Sequence, residues 1–80
     1  MYNLRWAQRI KLITMEIMLN GETTQIADQC SVAEILSKLE LQDKRVAVEV
    51  NQEVIPRAQH ISFQLSAGDQ VEIIQAVGGG

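Results

Sequence analysis

Residues 15–20 repeat with a period of two. Met15, Ile17 and Leu19 alternate with Glu16, Met18 and Asn20. A period of two sends successive side chains to opposite faces, so the run predicts a strand with one buried face. Asn20-Gly21 follows, and both residues tolerate the positive φ of a two-residue hairpin turn. "TTQIAD" at 23–28 then reads as the returning strand, so the domain opens with a β-hairpin.

The period changes at Ser31. Val32, Ile35, Leu36 and Leu39 fall at i, i+3, i+4 and i+7, one apolar stripe of a helix. Ser31 is a good N-cap and Glu34 stands three residues later, which is a capping box. Lys38 lies near the C-terminal end, where a cation complements the helix dipole. The pattern predicts a helix over about 32–39. Alternation returns in "RVAVEVN", with Val46, Val48 and Val50 on one side and Ala47 and Glu49 on the other. Residues 51–53 read as a turn and Val54-Ile55 as a short return strand. Pro56 cannot donate to a ladder, so that strand ends there or lies at an edge. "RAQHISFQL" reads as a turn that can hold a short helix, and "SAGDQ" as a second turn. "VEIIQAV" is apolar on both parities, as a central strand would be.

The order β-β-α-β-(β)-β has one helix, which covers one face of a sheet. The expected fold class is α+β: a β-grasp, ubiquitin-like, with a mixed sheet of four to five strands and one main helix packed on one face. A split α+β sandwich with another strand order is the alternative. The expected organisation is a flexible extension over 1–14, a β-grasp domain over 15–77 and a flexible glycine tail over 78–80.

Composition narrows the function classes. The chain has 80 residues, 46% hydrophobic and 21% charged, a globular balance with a thin stability margin at this size. Its only aromatics are Tyr2, Trp6 and Phe63, so the core is aliphatic. The net charge is −3, but Arg5, Arg9 and Lys11 all precede Met15; from Met15 onward four cations face ten carboxylates, which leaves −6. An acidic surface repels phosphates, which argues against nucleic acid as a partner and for a basic groove on a protein. Cys30 is the only cysteine, so neither an intrachain disulfide nor a zinc cluster is expected. No apolar run approaches a membrane span, and no secretory h-region with a cleavage site stands at the start. The expected location is the cytoplasm, away from membranes.

Enzyme chemistry needs convergent groups, and few are at hand. His60 is the only histidine. A Cys30/His60 nucleophile pair would require the two to meet; the plainer readings are Cys30 as a small, partly buried hydrophobe and His60 as a surface loop residue. The carboxylates sit mostly on outward parities, no ligand cluster is spaced for a metal, and no phosphate-binding glycine loop occurs. No catalytic residue, metal or bound cofactor is expected.

The unusual feature is "AVGGG". A frayed end is the plain reading of three glycines. Their position favours another, because they follow the two-sided apolar strand with no linker. Glycines lack side chains, so Gly78 and Gly79 can thread a channel that any Cβ would block. Three residues extend about 10 Å, enough to carry the Gly80 carboxylate into another protein's active site. A carboxylate is a poor electrophile until it is joined to AMP as a mixed anhydride, which sulfur or nitrogen can attack. Ordering the tail costs about 1–2 kcal/mol per residue, so affinity needs a docking face as well. If Met15, Ile17, Val46, Val48, Val50, Val71 and Ile73 pack beneath the helix, the opposite face holds Met18, Ala47, Ile74 and Ala76, rimmed by Glu16, Glu49 and Glu72. Cover by loops or by the N-terminal segment is the competing reading of that patch.

Taken as an ordered set, "NGE" (20–22), "SVAEIL" (31–36), "VAVEVNQEVIPR" (46–57), "LSAGDQVEI" (65–73) and the terminal "AVGGG" resemble the ThiS-type sulfur carrier proteins of thiamine biosynthesis. The resemblance spans residues 15–80. It implies that an E1-like adenylyltransferase uses ATP to adenylate Gly80. Sulfur from a donor such as a cysteine desulfurase then makes a thiocarboxylate, and thiazole synthase takes that sulfur. The protein is then a carrier and a substrate of other enzymes, not a catalyst. Gly79 and Gly80 match the family's terminal pair; Gly78 is an additional glycine, and residues 1–14 depart from the family. The small subunit of molybdopterin synthase, or a ubiquitin-like modifier, would use the same tail chemistry. A non-catalytic β-grasp binding module with an inert tail is the alternative from another class.

Overall fold

The computed structural model describes residues 13–75. Strand β1 (Thr14–Leu19) turns through Asn20-Gly21 into β2 (Glu22–Ala27), in full antiparallel register from Thr14↔Ala27 to Leu19↔Glu22. Both turn residues have positive φ, 50° and 83°, which the right-handed twist of a two-residue hairpin demands. The first strand starts one residue before the expected boundary, and the Ile13 carbonyl accepts the Asp28 N–H at 2.8 Å. Residues 13 and 14 thus extend the sheet; residues 1–12 of the expected extension lie outside the described residues.

Helix α1 (Val32–Lys38) starts at the expected capping box. Ser31 Oγ accepts the Glu34 N–H at 3.1 Å, and the Glu34 carboxylate accepts the Ser31 N–H at 3.0 Å. The two N–H groups ahead of Glu34 are met from far along the chain: Val32 donates to the Phe63 carbonyl and Ala33 to the His60 carbonyl. The helix ends one residue early. Leu39 is its C-cap and is 44% exposed, so the buried stripe is Val32, Ile35 and Leu36. Glu40 turns left-handed at φ 59°, donating its N–H to the Ser37 carbonyl, and Leu41 donates to the Leu36 carbonyl. This pair of bonds stops a helix and swings the next apolar residue, Leu41, back onto the core.

Strand β3 (Val46–Val50) and β4 (Glu53–Ile55) form a second hairpin, whose turn is Asn51-Gln52 alone. A 3-10 turn (Arg57–Gln59) and strand β5 (Gln70–Gln75) follow. The sheet order is β2-β1-β5-β3-β4, with β1 and β5 parallel and the other neighbours antiparallel. This is the β-grasp arrangement, with the two-sided apolar strand in the centre. The core lies between α1 and one face of the sheet: Met15, Ile17, Ile26, Val48, Val50, Ile55 and Val71 meet Val32, Ile35 and Leu36, with Cys30 and Leu65 closing it.

Residues 56–65 differ most from their sequence reading. His60 is buried rather than on the surface, 8% exposed, with Nε2 3.0 Å from the Ile55 carbonyl. The cause is the bonds that this segment makes to the start of α1. To the two helix donors above is added the Leu65 N–H to the Cys30 carbonyl, which draws the loop over the end of the core.

Candidate functional site

The central strand leads toward the glycines, and both hairpin turns hold it. On the β1 side the ladder ends at Leu19↔Val71, but the Asn20 side chain continues it. Its Oδ1 accepts the Ile73 N–H at 2.8 Å and its Nδ2 donates to the Ile73 carbonyl at 3.4 Å. At the other end, Asn51 Oδ1 accepts the Gln70 N–H at 3.0 Å while Asn51 Nδ2 donates to Asp69 Oδ1. On its other flank β5 is paired from Val71 to Gln75, the last described residue, which lies opposite Val46. Gly78, Gly79 and Gly80, with Ala76, lie outside the described residues.

The sheet face opposite α1 carries the residues expected to dock a partner. Ala47 and Ile74 are direct cross-strand partners, and Ile74 is 52% exposed. Met18 is on the same face but does not join them. It pairs with Gln70, four residues along β5 and so about 13 Å from Ile74. Its sulfur instead accepts the Thr23 hydroxyl at 3.5 Å. Glu72 and Glu49, opposite each other on β5 and β3, lie between the two apolar points. Glu16 stands apart on β1, where its carboxylate accepts from Gln25 Nε2 at 3.4 Å.

Three residues of this region escaped the sequence reading. Val54 pairs with Glu49 and is 64% exposed, which places it on the open face. Arg45 and Arg57 join Val46, Ala47 and Ile74 around a shallow groove of about 510 Å³, at the end of the sheet where Val46 pairs with Gln75. The signal for Arg45 was in its parity, which it shares with Ala47 and Glu49; Val54 had none, since a strand of three residues is too short to show which face is buried. Arg57 had no such signal, because the bend at Pro56 brings it there.

Other chemistry is scarce among the described residues. Cys30 is buried, its thiol donating to the Ser31 carbonyl at 3.6 Å. Burial first, and the Glu34 carboxylate second, push that thiol above its ordinary value, against a smaller opposing pull from Lys38. It is therefore protonated and unreactive at neutral pH. Cys30 and His60 turn to different carbonyls and do not form a nucleophile pair. Among the described residues no group of three or more His, Cys, Asp or Glu side chains could hold a metal ion, and no helix is long and apolar enough to cross a membrane.

The ThiS family model matches residues 15–80. The chain belongs to the ThiS family. The sulfur carrier protein ThiS of Escherichia coli is 32% identical over 66 residues, 82% of this chain and 100% of that one. The crystal structure of the thiamine biosynthesis protein ThiS from Geobacter metallireducens superposes with a TM-score of 0.71 at 35% identity, covering 82% of this chain and 100% of the other. A thiazole synthase of Paramagnetospirillum magneticum is 32% identical over 66 residues, but the chain spans only 20% of that protein's length. ThiS-like sequence therefore also occurs as part of a larger protein that carries the synthase name.

Proposed function

We propose that this chain is a sulfur carrier of thiamine biosynthesis and that the carboxylate of Gly80 is its working group. The observation that carries the reading is the ThiS family match running through Gly80. The clamped β5 supports it, because a rigid base leaves few residues to be ordered when a partner takes the tail. An E1-like adenylyltransferase joins the Gly80 carboxylate to the α-phosphate of ATP and releases pyrophosphate. The acyl-adenylate then has a good leaving group. The terminal sulfur of a persulfide, delivered by a cysteine desulfurase or a similar donor, attacks the acyl carbon and displaces AMP; a thiol reductant then cleaves the resulting acyl disulfide by exchange, which frees the thiocarboxylate. Thiazole synthase receives that sulfur. ATP belongs to the activating enzyme and the carrier itself supplies no catalytic residue. Gly78 and Gly79 are the slender lead into each partner's active site, and Ala47, Ile74 and Ala76 form the contact at its mouth.

The ThiS and thiazole synthase names among the relatives favour thiamine over the molybdopterin route. The test is to offer thiocarboxylated protein to thiazole synthase and, separately, to the large subunit of molybdopterin synthase. Sulfur transfer to thiazole synthase alone is the expected result; transfer only to the molybdopterin enzyme would overturn the assignment.

A further inference from the structure

The cations of this acidic domain are unevenly placed. Of the four that follow Met15, Arg45 and Arg57 line the groove beside Ala47 and Ile74, and Lys44 joins Arg57 around a small adjoining hollow. Lys38 stands elsewhere, in a hollow beside Cys30 and Glu34 on the helix. Along the open face the order is therefore the Glu49–Glu72 pair, then apolar Ala47 and Ile74, then the two arginines where β5 pairs Val46 with Gln75. Taking the carrier reading as its basis, we propose that this groove is a docking site for a carboxylate-bearing rim around the active-site mouth of thiazole synthase.

Chemistry and reach both favour a protein occupant. A guanidinium pairs with a carboxylate through two parallel bonds, and an apolar neighbour of that carboxylate can rest on Ala47 and Ile74. A phosphate is served better by converging backbone N–H groups, whereas this groove offers two arginine side chains, one just ahead of β3 and one in the 3-10 turn, beside an apolar floor. Five residues separate Gln75 from the Gly80 carboxylate, at most about 16–18 Å when extended. With the tail inserted, the arginines meet the rim of the partner's site and not its reacting centre. The Glu49–Glu72 pair behind them requires the opposite charge farther out. The face thus has a polarity that sets how the tail is aimed.

The test is calorimetric binding of the full chain to thiazole synthase from the same organism, at low and high salt. Arg45→Glu/Arg57→Glu is compared with the wild type and with Lys38→Glu, which makes a charge change away from the groove. The double variant is expected to bind about tenfold more weakly or worse, with a smaller salt dependence, while Lys38→Glu keeps wild-type affinity. Thermal melts of the three proteins check that folding is unchanged. Equal affinity of the double variant, or an equal loss in Lys38→Glu, would overturn the docking site while leaving the carrier reading intact. Pyrophosphate binding that the double variant loses, alongside unchanged synthase affinity, would assign the groove to a phosphate and also overturn it. A wild-type chain with no affinity for the synthase would defeat the carrier reading itself.

Discussion

Glu72 faces Glu49 across the β3–β5 ladder, and like charges directly opposite each other destabilise a sheet. Glu72→Gln is expected to raise the unfolding free energy by about 0.2–1 kcal/mol, read as a higher urea midpoint at unchanged slope. Cys30 gives a pH prediction. Its thiol titrates above 9.0 in the folded protein, so folding favours the protonated form. The stability this contributes is fully present below pH 9 and is lost as pH rises through the raised value. Chemical melts should therefore show a decline above about pH 9 that Cys30→Val abolishes. Cys30 was legible because it precedes a clear capping box, whose position fixes which side of the helix start faces the core. His60 was not, because its burial depends on bonds from residues 60–65 to α1, which no local pattern records.

At the level of elements, each period in the sequence became the expected structure, and the errors fall where chain direction changes. Leu39 continues the helical apolar spacing yet lies outside the core, because the left-handed Glu40 ends the helix ahead of it. A side chain in that conformation costs about 1–2 kcal/mol, which glycine avoids at some cost in unfolded-chain entropy. Glu40→Gly should therefore stabilise the domain by about 0.5–1 kcal/mol, a rise of several degrees in Tm for a protein of this size. The Asn51-Gln52 turn is shorter than its sequence reading for a related reason. Both residues adopt positive φ, 52° and 70°, without the glycine that signals such a turn in the first hairpin.

For the whole molecule, the decisive feature is that β5 sits between β1 and β3 and is gripped by asparagines from both hairpins. The strand's place was legible from its two-sided apolar pattern. The arginine groove beside it was not, since Arg45 and Arg57 come together only through the bend at Pro56. The core behind the strand is small: Ile17, 1% exposed, should lose about 2–5 kcal/mol on replacement by alanine, much of what so small a domain has. Ile74→Glu should behave differently, leaving the melt nearly unchanged while weakening thiazole synthase binding; undiminished affinity would remove this residue from the docking face. The most direct measurement is the intact mass of the protein after incubation with ATP, its E1-like adenylyltransferase and a sulfur donor. Exchange of one oxygen for sulfur, located at Gly80 and absent when Gly80 is deleted from a still-folded protein, is the predicted result. An unchanged mass with enzymes competent on another ThiS protein would contradict it.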